Sequence, residues 1–206
     1  LAIRSDGHVW AVGFFRDSAF FEGDSYNTSG RYDGFVALIN TTSSLFEWVR
    51  TIGSQDHTDG DNATAVTVDS DDNALVVGSY SDNAGGTFGP TQIMPVGRPT
   101  ATYVLNLSST NTVNWVASAA GSQNGEPSFG MDILVADDGN YYVTGGISGL
   151  TTFDSLTTGS PLQIVGNGTS VHTYIAKIDT DGDWNYVRRS DSPNGFNSPS
   201  HQTPQN

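Results

Sequence analysis

The chain reads as all-β and, within that class, as a β-propeller with four-stranded antiparallel blades, three of them present as part of a larger six- to eight-bladed ring. Three observations predict this. One phrase is written three times, as DGHVWAVG (6–13), DDNALVVG (71–78) and DGNYYVTG (138–145), at offsets of 65 and 67 residues. Each copy sits among short runs rich in Val, Ile, Tyr, Phe and Trp and bounded by Gly, Asn, Asp and Ser, which is how strands are written. The polar alphabet is that of turns: 19 of the 22 acidic residues are Asp, only Glu22, Glu47 and Glu126 are Glu, and Lys177 is the only Lys. Glu and Lys suit exposed helix faces, whereas Asp, Asn, Ser and Gly suit turns, so almost no helix is expected.

The elements recur in a fixed order. A first strand is expected at LAIRS (from 1), ATAVTV (from 63) and MDILVA (from 131). The phrase supplies the second strand, opened by a tight Asp-Gly or Asp-Asn turn and ended by a Gly where the chain is expected to leave the sheet. A polar stretch follows, with a Phe 7 to 10 residues beyond that Gly: Phe20, Phe88 and Phe153. The third strand is FVALIN (35–40), YVLNLS (103–108) or YIAKID (174–179). The fourth begins EWVRTIGS at 47, NWVASAAGS at 114 and NYVRRSDS at 185. Several runs, VWAVGF and YYVTG among them, are apolar on both faces. A four-stranded unit of that kind buries both faces only between like neighbours, which is the arrangement of propeller blades. The units are 1–62, 63–130 and 131–192, with a polar tail or linker at 193–206.

The order of a turn Asp, D-G-N-x-Y-V-T-G, a loop Phe, F-V-A-K-[IL]-D, a turn, a Trp and a Gly-rich loop resembles the bacterial β-propeller repeat known as the SBBP repeat. DGNYYVTG and YIAKID are nearly its consensus, FVALIN and the Trp48 strand match well, and the middle unit is the most divergent. The resemblance runs to about Arg189. It implies the propeller fold and a secreted or surface setting, and it brings no shared catalytic residues. A closed propeller takes about four to eight blades, so three would leave two open sides. The chain is therefore expected to be a piece of a larger protein or, alternatively, to reach six blades from two copies.

A net charge of −14 over 206 residues repels phosphate backbones and anionic lipid, so neither nucleic acid nor membrane insertion is expected. There is no Cys, no apolar run of eighteen residues and no charged-then-apolar leader. The expected partners are proteins or further blades of the same or another chain, with glycans as the alternative.

Connections alternate between the two ends of an antiparallel blade. The long ones, roughly 14–33, 81–101 and 147–172 with 53–62 and 120–130, share one face, where binding is expected. The first is rich in aromatics. Tyr26 and Tyr32, beside Arg31 and Asp33, are candidates for stacking on sugar rings or anchoring a protein, while Phe20 or Phe21 is expected to plug between blades. Asp179, Asp181 and Asp183 in DTDGDW are candidate calcium ligands, the one cofactor the sequence admits. Asp69, Asp71 and Asp72 come next, then Asp56, His57, Asp59 and Asp61. Gly182 falls between carboxylates and no distal Glu follows, unlike the helix-loop-helix calcium motif, and a hairpin turn explains Asp-Gly equally well. Asn27, Asn40, Asn62 and Asn167 are candidate glycosylation sites, with Asn106 disfavoured inside a strand.

Catalysis finds little support: there is no Cys nucleophile, His8, His57, His172 and His201 are scattered, and among 19 Asp some acid pair always lies close. The expected function is a non-enzymatic extracellular or cell-surface scaffold and interaction module within a larger surface or filament protein. The alternatives are a carbohydrate-binding, lectin-like propeller and, third, a polysaccharide hydrolase or lyase.

Overall fold

The computed structural model describes residues 1–28, 30–53, 60–82, 87–88, 91–92, 98–122, 126–155, 157, 159–166, 168 and 170–190. Among them every regular element is a strand. The first unit contains β1 (Ala2–Ile3), β2 (Val9–Phe15), β3 (Ser18–Phe21), β4 (Asp24–Asn27), β5 (Asp33–Asn40) and β6 (Leu45–Ile52). The second contains β7 (Asn62–Val68), β8 (Ala74–Asp82), β9 (Thr87–Phe88), β10 (Thr91–Gln92), β11 (Arg98–Leu107) and β12 (Val113–Gly121). The third contains β13 (Ser128–Val135), β14 (Tyr141–Ile147), β15 (Leu150–Phe153), β16 (Leu162–Val165), β17 (His172–Ile178) and β18 (Trp184–Arg189).

Each unit forms a four-stranded antiparallel sheet in chain order: β1-β2-β5-β6, β7-β8-β11-β12 and β13-β14-β17-β18. The extra strands lie where loops are expected from the sequence. β3 and β4 form a hairpin of their own, as do β9 and β10, whereas the β15–β16 hairpin leaves its own sheet and pairs β15 with β12 of the preceding one, Phe153 opposite Ala119. Sheet two thereby gains two strands on its outer edge.

The registers superpose the units residue by residue. The cross-strand row Ile3, Val9, Ile39, Phe46 in sheet one corresponds to Val68, Ala74, Leu107, Val113 in sheet two and to Val135, Tyr141, Ile178, Trp184 in sheet three. The sheets stack face to face. Trp10, Val36, Leu38 and Ile52 of sheet one meet Val76, Tyr103 and Leu105 of sheet two in one buried cluster. The opposite face of sheet two, through Leu75, Val77 and Val104, meets Val143, Ala176 and Ile178 of sheet three in a second. Each fully buried aliphatic side chain contributes about 1.5–3 kcal/mol, which is why strands apolar on both sides settle between neighbours. First strands make the close approaches: β7 lies against β2 and β5, and β13 against β7, β8 and β11.

The repeated Gly has a different reason from the one its place in the phrase suggests. The chain does not leave the sheet there: Gly13, Gly78 and Gly145 sit inside β2, β8 and β14, directly opposite Phe35, Tyr103 and Tyr174. An added Cβ would come within 2.8 Å of the Phe35 ring at Gly13; at Gly78 it would collide first with the Asn62 carbonyl oxygen and then with the Tyr103 hydroxyl at 2.6 Å, and at Gly145 first with the Phe129 carbonyl oxygen and then with the Tyr174 ring at 2.7 Å. The aromatic of the third strand thus lies across the glycine of the second. The turn that opens the phrase keeps one backbone shape with changing residues. Gly7, Asp72 and Gly139 all take positive φ (86°, 63° and 77°), each donating its N–H to the carbonyl three residues back. This is the left-handed closing residue of a three-residue hairpin loop.

Phe21, not Phe20, takes the place that Phe88 and Phe153 hold between sheets, but it lies on the outer face of sheet one rather than between two described sheets. Phe21, Phe88 and Phe153 approach Phe35, Tyr103 and Tyr174 at centroid distances of 5.3, 4.7 and 5.3 Å, while Phe20 points away and is 74% exposed.

Candidate functional site

Tyr26 and Tyr32 pack against different rings. Tyr26 on β4 stands edge-on to Phe21 at 5.7 Å, in the aromatic group that covers the outer face of sheet one together with Phe35 and Phe46. Tyr32 stands edge-on to Phe14 at 5.7 Å, with the Arg31 guanidinium over its ring at 5.1 Å. Its carbonyl accepts the Asp61 N–H, tying the end of the first long loop to the start of sheet two. Asp33 is buried, packed beneath Gly53. A shallow depression runs from Tyr32 past Asn62 and Thr64 to Met131, where the bulges of β7 and β13 fall.

Two of the three Asp of DTDGDW, Asp179 and Asp183, serve the turn and its neighbours. Asp179 accepts the backbone N–H groups of Asp181 and Asp183 at 3.1 and 3.0 Å and the Asn185 amide at 2.8 Å. Asp183 is buried and accepts from the Ser155 hydroxyl at 2.9 Å, the Thr157 N–H at 3.0 Å and the Thr157 hydroxyl, anchoring the chain that follows β15. Asp181 is exposed. Asp69 repeats the first pattern with Asp71, Asn73 and the Asn73 side chain. Among the described residues no three His, Asp or Glu side chains gather around a point that could hold a metal ion. Asp56, His57, Asp59, His201 and Asn167 lie outside the described residues.

The remaining Asn-x-Ser/Thr sites differ in what occupies them. Asn27 ends β4 exposed. Asn40 accepts from the Thr42 and Ser43 N–H groups in the β5–β6 turn. Asn62 opens β7 and accepts from the Ser79 N–H and the Thr64 hydroxyl, and Asn106 is buried and receives a hydrogen bond from Asn114.

A cleft of about 440 Å³ lies at the opposite end of the sheets from the long loops, between sheets two and three. Asp69, Asp71, Asp137, Asn106 and Asn114 bring its polar groups, and Trp115 and Tyr141, 6.2 Å apart and tilted by 31°, supply its apolar surface. Register fixes these positions: Trp115 stands on the last strand of sheet two, and Tyr141 opens the second strand of sheet three. The Trp115 indole N–H donates to the Thr180 carbonyl at 2.9 Å, which holds the ring in place. Burial pushes the Tyr141 phenol up to about 12, and the carboxylates of Asp69, Asp71 and Asp179 add to the shift. Both Asp-rich turns expected from the sequence thus converge electrostatically on one phenol. Such a site repels anions and offers acceptors to hydroxyl or ammonium donors beside a flat apolar ring. From sequence Trp115 and Tyr141 read as strand residues, and only the sheet-to-sheet packing brings them together.

No protein-family model matches the chain, and a search of the curated proteins finds no match.

Proposed function

We propose that the three sheets are consecutive blades of a β-propeller and that the chain is a non-catalytic scaffold and interaction module of an extracellular or cell-surface protein. The observation that carries the reading is the repeat of one stacking interface. The face that holds Tyr103 and Leu105 in sheet two, and Tyr174 and Ile178 in sheet three, is buried on the sheet before it, and sheet one carries the same face. The likeness of the phrase to the SBBP repeat adds the surface setting. A rigid stack with its polar groups spent on turns and latches supports binding more readily than bond breaking. Turnover of a polysaccharide panel, abolished by a single Asp→Asn change, overturns the non-catalytic part, and absence of surface labelling on cells expressing the full-length protein overturns the location.

A second reading is carbohydrate binding, favoured by the cleft, where a Trp115–Tyr141 surface is rimmed by amides and carboxylates. Saturable binding on a glycan array, lost in Asp71→Asn and Asp137→Asn, supports it. Binding that survives both changes refutes the cleft as its seat.

A further inference from the structure

We propose that the cleft between sheets two and three takes a guanidinium group, stacked on the Trp115 indole and held by the carboxylates of Asp71 and Asp137 and by the Tyr141 hydroxyl. The inference rests on the interaction-module reading and names the chemical group through which that module would hold its partner.

Two independent observations carry it. The first is a buried group without a partner. Tyr141 is 3% exposed and lines the cleft, yet its hydroxyl makes no hydrogen bond among the described residues. An unsatisfied polar group at that depth is costly, and in a native fold it calls for an explanation. The second is charge without compensation. Asp71 and Asp137 stand exposed on the turns that open β8 and β14, and among the described residues their carboxylates accept no hydrogen bond and enter no ion pair. Asp69 differs, being occupied by the N–H groups of Asp71 and Asn73 and by the amides of Asn73 and Asn106. Neither Lys nor Arg lines the cleft.

The junction between sheets one and two shows the same place closed. Trp10 is fully buried there, edge-on to Trp48 at 5.3 Å, with its indole reaching the Asp72 carbonyl, and Leu38 is buried beside it. Ser5 donates its N–H at 2.8 Å and its hydroxyl to the Asp72 carboxylate across the gap. At the second junction the counterparts of Trp10, Leu38, Ser5 and Asp72 are Leu75, Asn106, Ser70 and Gly139. The large ring and the latching carboxylate are gone, and a buried amide replaces a buried leucine. The opening is therefore written in these side chains and is not a by-product of stacking.

A guanidinium answers each feature. It is planar and stacks on an indole. Its five N–H groups donate and none accepts, which suits two free carboxylates, a phenol oxygen and the side-chain carbonyl of Asn114, whose amide is turned to Asn106 at 2.8 Å. A sugar hydroxyl would meet the same acceptors but leave the charge unanswered. A metal ion would find no three carboxylates or imidazoles gathered round one point among the described residues. The group could arrive as an arginine side chain of a partner protein or as a free small molecule.

The test uses the whole chain. Butylguanidinium is titrated while the Trp115 indole N–H resonance, assigned through Trp115→Phe, is followed by NMR, with butylurea as the uncharged probe of the same shape. The expected result is a saturable shift with butylguanidinium and none with butylurea, weakened about tenfold in Asp71→Asn and in Asp137→Asn. Tyr141→Phe should weaken it about fivefold while leaving the urea midpoint in place, because the lost hydroxyl bonded nothing. Asp24→Asn makes the same charge change on the exposed start of β4 and should leave binding as it was. A capped arginine peptide and free arginine separate the sources: tighter binding of the peptide assigns a protein-borne side chain, tighter binding of the free compound a small molecule, and both uphold the site. Equal weakening in Asp24→Asn, or equal binding of butylurea, overturns it. Saturation by an oligosaccharide with no response to butylguanidinium overturns it in favour of carbohydrate. A flat titration of the folded chain overturns the site and leaves the module reading standing, since that reading falls instead to polysaccharide turnover or absent surface labelling.

Discussion

Gly145→Ala tests the packing rule that unites the three units. The new methyl would enter the van der Waals shell of the Phe129 carbonyl oxygen and stand 2.7 Å from the ring and hydroxyl of Tyr174. Phe129 lies in the β13–β14 ladder and Tyr174 is fully buried, so neither withdraws cheaply. Overpacking of this kind costs about 1–3 kcal/mol, and disturbing one ladder hydrogen bond adds about 1 kcal/mol, so a loss of about 3 kcal/mol is expected. Gly139→Ala is the comparison, because an added methyl meets nothing within 4 Å and only the backbone, at φ 77°, objects. That strain costs about 1 kcal/mol. Gly13→Ala should fall near the lower figure, since the Phe35 ring it meets is half-exposed and free to swing. Urea unfolding followed by tryptophan fluorescence reads all three. If Gly145→Ala costs no more than Gly139→Ala, the account of Gly145 as closely packed by the Phe129 carbonyl and the Tyr174 ring is wrong.

Phe153→Ala, which empties a fully buried site between sheets two and three, should cost about 3–5 kcal/mol, and Phe21→Ala clearly less because Phe21 is only half-buried; reversed order in urea unfolding would contradict the plug assignment. Asp183→Ala strands the Ser155 and Thr157 donors and should cost about 1–3 kcal/mol, with faster hydrogen exchange near 154–157; unchanged exchange there speaks against the anchor. Tyr103, Tyr141 and Tyr174 all have phenols raised by burial, Tyr141 to about 12. A raised folded pKa contributes stability that is whole below the unfolded value of about 10 and drains away as pH climbs through the folded one. Stability should therefore fall between about pH 10 and 12, with late tyrosine ionisation in an ultraviolet titration; ionisation of all eight tyrosines near 10 refutes it.

The strands and their order were legible because each is written in a local alphabet: β-branched and aromatic runs punctuated by Asp, Asn and Gly. Much less legible were the hairpins within the long connections. Ser18–Phe21 and Leu150–Phe153 gain strand character from partners distant in sequence or absent from the alternation pattern, and no local signal announces that β15 will join β12. The Gly of the phrase was visible, but its causes lie on the neighbouring strands, for Gly145 the Phe129 carbonyl on one side and the Tyr174 ring on the other. For the same reason Tyr26 and Tyr32 looked like neighbours in one aromatic loop, although the fold sends one to the outer face and the other toward Gly60. The Trp115–Tyr141 cleft depends on two sheets meeting, which no single stretch encodes.

The crossing of β15 onto β12 gives assembly a direction. A ribosome finishes the platform strand β12 before the hairpin that needs it has emerged, so the third unit arrives to find its scaffolding already standing. Trimming from the carboxyl end would uncover one finished border, whereas trimming from the amino end would strip a hairpin of the ledge it rests on. Truncation series run from the two ends should therefore differ in solubility, with the amino-terminal cuts the more damaging.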